Sequence, residues 1–128
     1  MVEDNELNQE IAIAILEELG LTVEVAENGK VALDTISENE AGYFDVVLMD
    51  IQMPVMDGYE ATKAIRRLED REKANVPIVA MTANAFDEDK RTAFQVGMNG
   101  HLSKPVEPEK LAEQLRWTLG KNNRKYSS

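Results

Sequence analysis

Four places in this chain carry side chains that could do chemistry, and each stands where a strand should end. Asp50 closes the apolar run Phe44-Asp45-Val46-Val47-Leu48-Met49 and opens onto Ile51-Gln52-Met53-Pro54-Val55-Met56-Asp57-Gly58. An aliphatic, β-branched run is what a strand buried on both faces looks like, and Pro54 and Gly58 impose the turn after it. Near the start, Val2 is followed by two adjacent acids, Glu3 and Asp4. The run Val76-Pro77-Ile78-Val79-Ala80-Met81 ends in Thr82, and Leu102-Ser103 ends in Lys104-Pro105. Open α/β sheets bind their ligands beyond the carboxyl ends of their strands, so acids, a hydroxyl and an ammonium are expected to converge on one edge. Carboxylates packed together oppose one another's ionisation, and a hard divalent cation relieves that repulsion. Mg²⁺ takes oxygen ligands, keeps several waters and binds through one or two carboxylates plus a phosphate. Glu3, Asp4 and Asp50 therefore form a candidate Mg²⁺ site. Calcium is disfavoured, because no loop supplies many oxygens.

The elements that must position these groups alternate between strand-like and helix-period segments, which argues for an α/β fold with a parallel sheet. Leu7, Ile11, Ala14, Ile15 and Leu19 recur at helical spacing and predict one apolar face of a first helix, closed by Gly20. Thr22-Val23-Glu24-Val25-Ala26 alternates like a strand, Asn28-Gly29 marks a turn, and Val31, Ala32, Leu33 and Ile36 predict a short second helix. Asp57 and Glu60 sit three apart, as an N-cap and its reciprocal acid do, before a stripe of Ala61, Ala64, Ile65 and Leu68. Asp70 to Asn75 reads as a charged loop, and a fourth helix is expected from Asp87 to near Gly97. Pro108 at an early helical position introduces the last helix, with Leu111, Leu115 and Leu119 as its stripe. Residues 1–120 read as one domain, and the polar tail 121–128 is expected to fray. Met49, Met53 and Met56 read as core and loop packing.

The acidic pair, Asp50, Thr82 and Lys104, in this order at strand ends, resemble the receiver domain of two-component response regulators, and the likeness covers essentially the whole chain. Met49-Asp50-Ile51-Gln52-Met53-Pro54 and Thr82-Ala83-Asn84-Ala85 look most like receivers attached to hybrid sensor histidine kinases. The resemblance implies a flavodoxin-like (βα)5 fold with strand order 2-1-3-4-5 and helices on both faces. It implies that Asp50 accepts a phosphoryl group from a histidine kinase or a histidine phosphotransfer domain. Asp4 would help hold Mg²⁺, with Glu3 in support and a backbone carbonyl at Gln52 as a further ligand. Thr82 and Lys104 would contact the phosphoryl oxygens. Such chemistry suits the residue types: an ionised carboxylate is a nucleophile, and phosphoryl transfer rests on positioning and charge neutralisation. Ala83 leaves space for a phosphodonor, and Gln52 and Asn84 occupy positions that tune acyl-phosphate hydrolysis in the family.

Two departures from the family pattern stand out. Family members place several apolar residues before the acidic pair, whereas only Met1 and Val2 precede Glu3, so the first strand is expected to be short, as in a truncated chain. Segment exchange between chains, giving a dimer, is one expected remedy; the oligomeric state stays open. The aromatic switch position three residues before the lysine holds His101, the single histidine. An imidazole there could act as the switch with Thr82, or stand as an ordinary half-exposed strand residue.

The chain has 128 residues, 43% of them hydrophobic, no cysteine and a net charge of −10. That length suits one buried core, and the acidic balance argues against binding nucleic acid. The missing cysteines exclude disulfides and thiolate metal sites and are compatible with the cytoplasm. No apolar run is long enough to span a bilayer, so no membrane contact is expected from this chain; a membrane-anchored parent protein is compatible with that. The first helix, beginning beside the acidic pair, offers a docking face for a helical histidine donor. Three rival readings stand beside the phosphoacceptor: a pseudo-receiver that binds partners without phosphorylation, a Mg²⁺-dependent aspartyl-phosphate phosphohydrolase, and a flavin-binding protein. The phosphohydrolase pattern wants a second Asp where Gln52 stands, and flavin binding wants a Ser/Thr/Gly-rich loop after the first strand.

Overall fold

Two continuous apolar runs form the centre of a parallel sheet. In the computed structural model, which describes residues 1–3, 5–51, 56–82, 87–103 and 107–127, with side chains omitted at 87–90 and 119–127, Val47–Asp50 (β1), Ile78–Thr82 (β2) and Gly100–Ser103 (β3) pair in parallel in that order. β1 and β2 are buried along their whole length, which is why their sequences do not alternate. β3 alternates buried and half-buried positions.

Beyond β1 the ladder continues through single residues. Val2 bridges Met49 on one side and Ala26 on the other, both in parallel. Its N–H donates to the Leu48 carbonyl at 2.7 Å and its carbonyl accepts from the Asp50 N–H at 3.0 Å. The Glu3 N–H reaches the Ala26 carbonyl at 3.0 Å, and the Ala26 N–H reaches the Met1 carbonyl at 2.9 Å. Pairing across the sheet therefore runs Ala26, Val2, β1, β2, β3. The short first strand expected from sequence is reduced to one residue, Val2, bridged on both sides, and the strand expected over Thr22–Ala26 is confined to Ala26. The Met1 ammonium donates to the Glu24 carbonyl at 2.7 Å. Burial pushes this amine down from 8.0 to about 6, while the Glu24 carboxylate acts in the opposite direction. A cavity of about 330 Å³, lined by Ala26, Ile36, Phe44 and Val47 among others, adjoins Met1.

Among the described residues six helices cover the two faces: α1 (Glu6–Glu18), α2 (Gly29–Glu38), α3 (Gly58–Arg66), α4 (Arg71–Ala74), α5 (Asp87–Val96) and α6 (Pro108–Ser127). Alternate strand residues serve opposite faces. Val47, Met49, Ile78 and Ala80 pack with Ala32 and Ile36 of α2, Ala61 and Ile65 of α3, and Ala93 of α5. Leu48, Val79, Met81 and Leu102 pack with Leu16 of α1 and Leu111 and Leu115 of α6. Side-chain oxygens of Asn5, Asn28, Asp57 and Asp70 cap α1 to α4 by accepting amides of their first turns. Among the described residues no helix is long and apolar enough to cross a membrane.

Three expectations change. α1 buries Ala12 and Leu16, while Leu7 and Ile11 are 64% and 48% exposed. Both rows recur at helical spacing, and the row carrying Leu16 is the one that meets Leu48 and Val79. The supposed loop after Asp70 contains α4, a single capped turn. The backbone of α6 stays helical through Ser127, where fraying was expected from residue 121.

Arg66 fastens α3 to the segments around it. Its guanidinium donates to the carbonyls of Ala74 at 2.6 Å and Val76 at 2.7 Å, to that of Gly97 at 2.7 and 2.9 Å, and to Asn99 Oδ1 at 2.8 Å. Asn99 Oδ1 also accepts from the Ile78 N–H at 2.9 Å, so the clamp reaches the first residue of β2.

Candidate functional site

The carboxyl edge of the sheet brings together two buried acids. Val2 pairs with Met49, so Glu3 and Asp50 occupy the next level, on backbones about 4.8 Å apart in a sheet. Glu3 is 1% exposed and Asp50 3% exposed. Burying two neighbouring carboxylates is costly unless each finds partners, and no buried side-chain nitrogen or oxygen among the described residues lacks a hydrogen bond. Packing alone gives no reason to place such groups together.

Thr82, the last residue of β2, is also buried. Its Oγ1 lies 2.8 Å from Nε2 of His101. His101 stands opposite Ala80 in the β2–β3 register, two residues back from Thr82 and on the same face of the sheet. Thr82 and His101 are thus in direct contact, and His101 is half-buried on β3.

The surrounding backbone holds this edge closely. The Gly58 N–H donates to the Ile51 carbonyl at 2.9 Å. A Cβ at Gly58 would overlap the Asp50 carbonyl oxygen and stand 2.8 Å from Ile51 Cα. Gln9 of α1 donates from Nε2 to the Glu3 carbonyl at 2.6 Å. Sequence reasoning missed both contacts. Gly58 was legible as part of a turn, but a close approach of two backbones leaves no signal in one sequence, and Gln9 looked like any polar helix residue.

Asp4, Gln52 and Lys104 lie outside the described residues, as do Ala83 and Asn84. Among the described residues no group of three or more acids, histidines or cysteines could hold a metal. The two acids that are described offer oxygen donors only, the set a hard cation such as Mg²⁺ takes. A buried carboxylate nucleophile, a second acid and a hydroxyl at one strand edge can bind a cation and attack an electrophilic centre.

Comparison with known proteins bears directly on this edge. A family model described as the response regulator receiver domain matches residues 1–116. The sensor protein GacS of Pseudomonas syringae pv. syringae is 42% identical over 119 residues, 91% of this chain and 13% of that protein. The crystal structure of the receiver domain of sensor histidine kinase PA1611 from Pseudomonas aeruginosa PAO1, with a magnesium ion coordinated in its active-site cleft, matches with a TM-score of 0.82 and 39% identity over 93% of each chain. The receiver domain of Ssk1, in its co-crystal with the histidine phosphotransfer protein Ypd1 from Saccharomyces cerevisiae, matches with a TM-score of 0.81 and 36% identity, covering 90% of this chain and 83% of that one. The chain spans 7% to 13% of the length of curated relatives such as these kinases.

Proposed function

This chain belongs to the response regulator receiver domain family, and on that premise we propose that Asp50 is its phosphoacceptor. The observation that carries the reading is the pair of buried acids, Glu3 and Asp50, at the carboxyl edge beside a buried threonine. An Asp50 oxygen attacks the phosphorus of a phosphohistidine, the P–N bond breaks, the imidazole leaves with its electron pair, and an acyl phosphate forms. Asp4, Asp50, Glu3 and the Gln52 carbonyl would hold Mg²⁺, which neutralises charge on the phosphoryl oxygens. Lys104 would give a second positive charge. The Thr82 hydroxyl donates to a phosphoryl oxygen after leaving His101, so phosphorylation competes with the Thr82–His101 hydrogen bond and the pair forms the switch.

The exposed apolar row of Leu7 and Ile11 on α1, beside the acidic edge, suits a helical histidine donor from a kinase or phosphotransfer domain. The Ypd1–Ssk1 complex supports that kind of partner. Hybrid signal transduction histidine kinases of Dictyostelium discoideum among the relatives support a parent of that type, with this domain working on the cytoplasmic side. Residues 1–120 form the working unit and 121–128 an appendage.

Mass spectrometry after incubation with acetyl phosphate tests the reading, with and without Mg²⁺, on the chain and on Asp50→Asn. A Mg²⁺-dependent phosphate adduct lost in Asp50→Asn is expected. No adduct on the folded chain would replace the reading with a pseudo-receiver. Rapid release of inorganic phosphate over many turnovers would favour the phosphohydrolase.

A further inference from the structure

The Glu3 carbonyl is held by a side chain from outside the sheet. The Glu3 N–H is fixed by the Ala26 carbonyl at 3.0 Å. A parallel ladder would next offer its carbonyl the amide two residues beyond Ala26. That residue, Asn28, leaves the sheet there as the N-cap of α2. Gln9, one turn into α1, meets the Glu3 carbonyl instead, with Nε2 at 2.6 Å in a partly buried contact. One residue earlier, the Val2 carbonyl accepts the Asp50 N–H at 3.0 Å. Glu3 is therefore referenced to β1 through Val2 and to α1 through Gln9.

We propose that Gln9 is a positioning residue for the cation site: by holding the Glu3 carbonyl it fixes the backbone that carries Glu3 beside Asp50. The inference rests on the Mg²⁺-binding reading of that edge. Gln9 touches neither cation nor phosphoryl group; it acts through one carbonyl. Groups that orient metal ligands from behind change affinity by about 10-fold or more when removed, and Gln9, acting through backbone, belongs at the lower end of that range.

Two variants separate positioning from charge. Gln9→Met keeps the length and loses the N–H donor. Gln9→Glu also loses the donor but adds a negative charge near the site, which by Coulomb attraction alone would tighten Mg²⁺. Isothermal titration with Mg²⁺ reads affinity without any phosphodonor, and acetyl phosphate labelling at graded Mg²⁺ reads rate. Both variants are expected to bind Mg²⁺ more weakly by about 10-fold, to need correspondingly more Mg²⁺ for half-maximal labelling, and to approach the same rate at saturation. Unchanged affinity in Gln9→Met, or tighter binding in Gln9→Glu, overturns the proposal while leaving the site reading intact. Absence of Mg²⁺ binding by the unaltered chain overturns both. Circular dichroism before each titration identifies a variant that has lost its fold; if Gln9→Met did, Gln9→Glu alone would decide.

Discussion

Gly58→Ala tests whether β1 and the start of α3 are as closely apposed as the structure has them. The new Cβ would stand 2.8 Å from Ile51 Cα and 3.1 Å from the Asp50 carbonyl carbon, and would overlap the Asp50 carbonyl oxygen. Comfortable carbon–carbon contact lies at about 3.5–4.0 Å, so the two backbones must separate by roughly an ångström. Every atom in the way is main chain, and no side chain can rotate aside. Overpacking of this kind costs about 1–3 kcal/mol, and the upper end applies because β1 is pinned by β2 on one side and Val2 on the other. Alanine's better helix propensity returns less than about 1 kcal/mol at this first helical position. A net loss of about 2 kcal/mol corresponds to a fall in Tm of roughly 5–10 °C for a domain of this size. The displaced group is Asp50 itself, so labelling by acetyl phosphate falls too, even well below Tm. Gly20→Ala is the control: its φ is +84° and nothing lies within 4 Å of the added Cβ, so it suffers backbone strain without a clash and labels normally. A Gly58→Ala protein with the Tm and labelling rate of the original would refute the packing argument.

Three further outcomes follow from the same geometry. Arg66→Lys replaces a planar fork with a point charge that cannot serve the carbonyls of Ala74, Val76 and Gly97 together; urea unfolding is expected to show a loss of about 3 kcal/mol, given about 1.5–3 kcal/mol per charged hydrogen bond and incomplete additivity. The Met1 amine binds its proton less readily folded, at about 6, than unfolded, at 8.0; the unfolded chain thus holds more protons between these values, and stability rises with pH across that window and is flat outside it. The effect amounts to about 3 kcal/mol at about 1.4 per unit, and Nα-acetylation, for which the adjoining cavity leaves room, should stabilise the chain below pH 6 and make no difference above 8, by urea midpoints. Thr82→Ala should slow acetyl phosphate labelling about 10-fold, the worth of one hydrogen bond to a charged group, with Thr82→Ser close to normal; equal rates in all three would remove the hydroxyl from the chemistry.

The parts of the fold legible in the sequence were those with one physical solution. A run such as Val76 to Met81 can be buried only as a central strand, and its polar terminus then falls at the carboxyl edge, which is how Asp50 and Thr82 were found. α1 offered two apolar rows, and choosing between Ile11 and Ala12 needs knowledge of what each row meets. α4 is a single turn, too short for a period to register. The clamp of Arg66 reaches a residue 33 positions away, a pairing that no local pattern encodes. Asp4, Gln52 and Lys104 are expected from their motifs alone and lie outside the described residues.

The one-residue bridge at Val2 has a consequence for how the site responds to its cation. β1, β2 and β3 are joined by continuous ladders, whereas Glu3 is joined to the sheet through the hydrogen bonds of Val2, Glu3 and Ala26. Local opening follows such gradients: hydrogen exchange should be fast at the amides of Glu3 and Ala26 and slow at those within β2. An ion that bridges Glu3's segment to Asp50 binds the closed form in preference to the open one, and so raises the protection of these amides by mass action. At the cation site proposed above, binding and closure of the sheet's edge would be a single equilibrium, and occupancy would be followed by exchange at Ala26, on the far side of the bridge from Asp50.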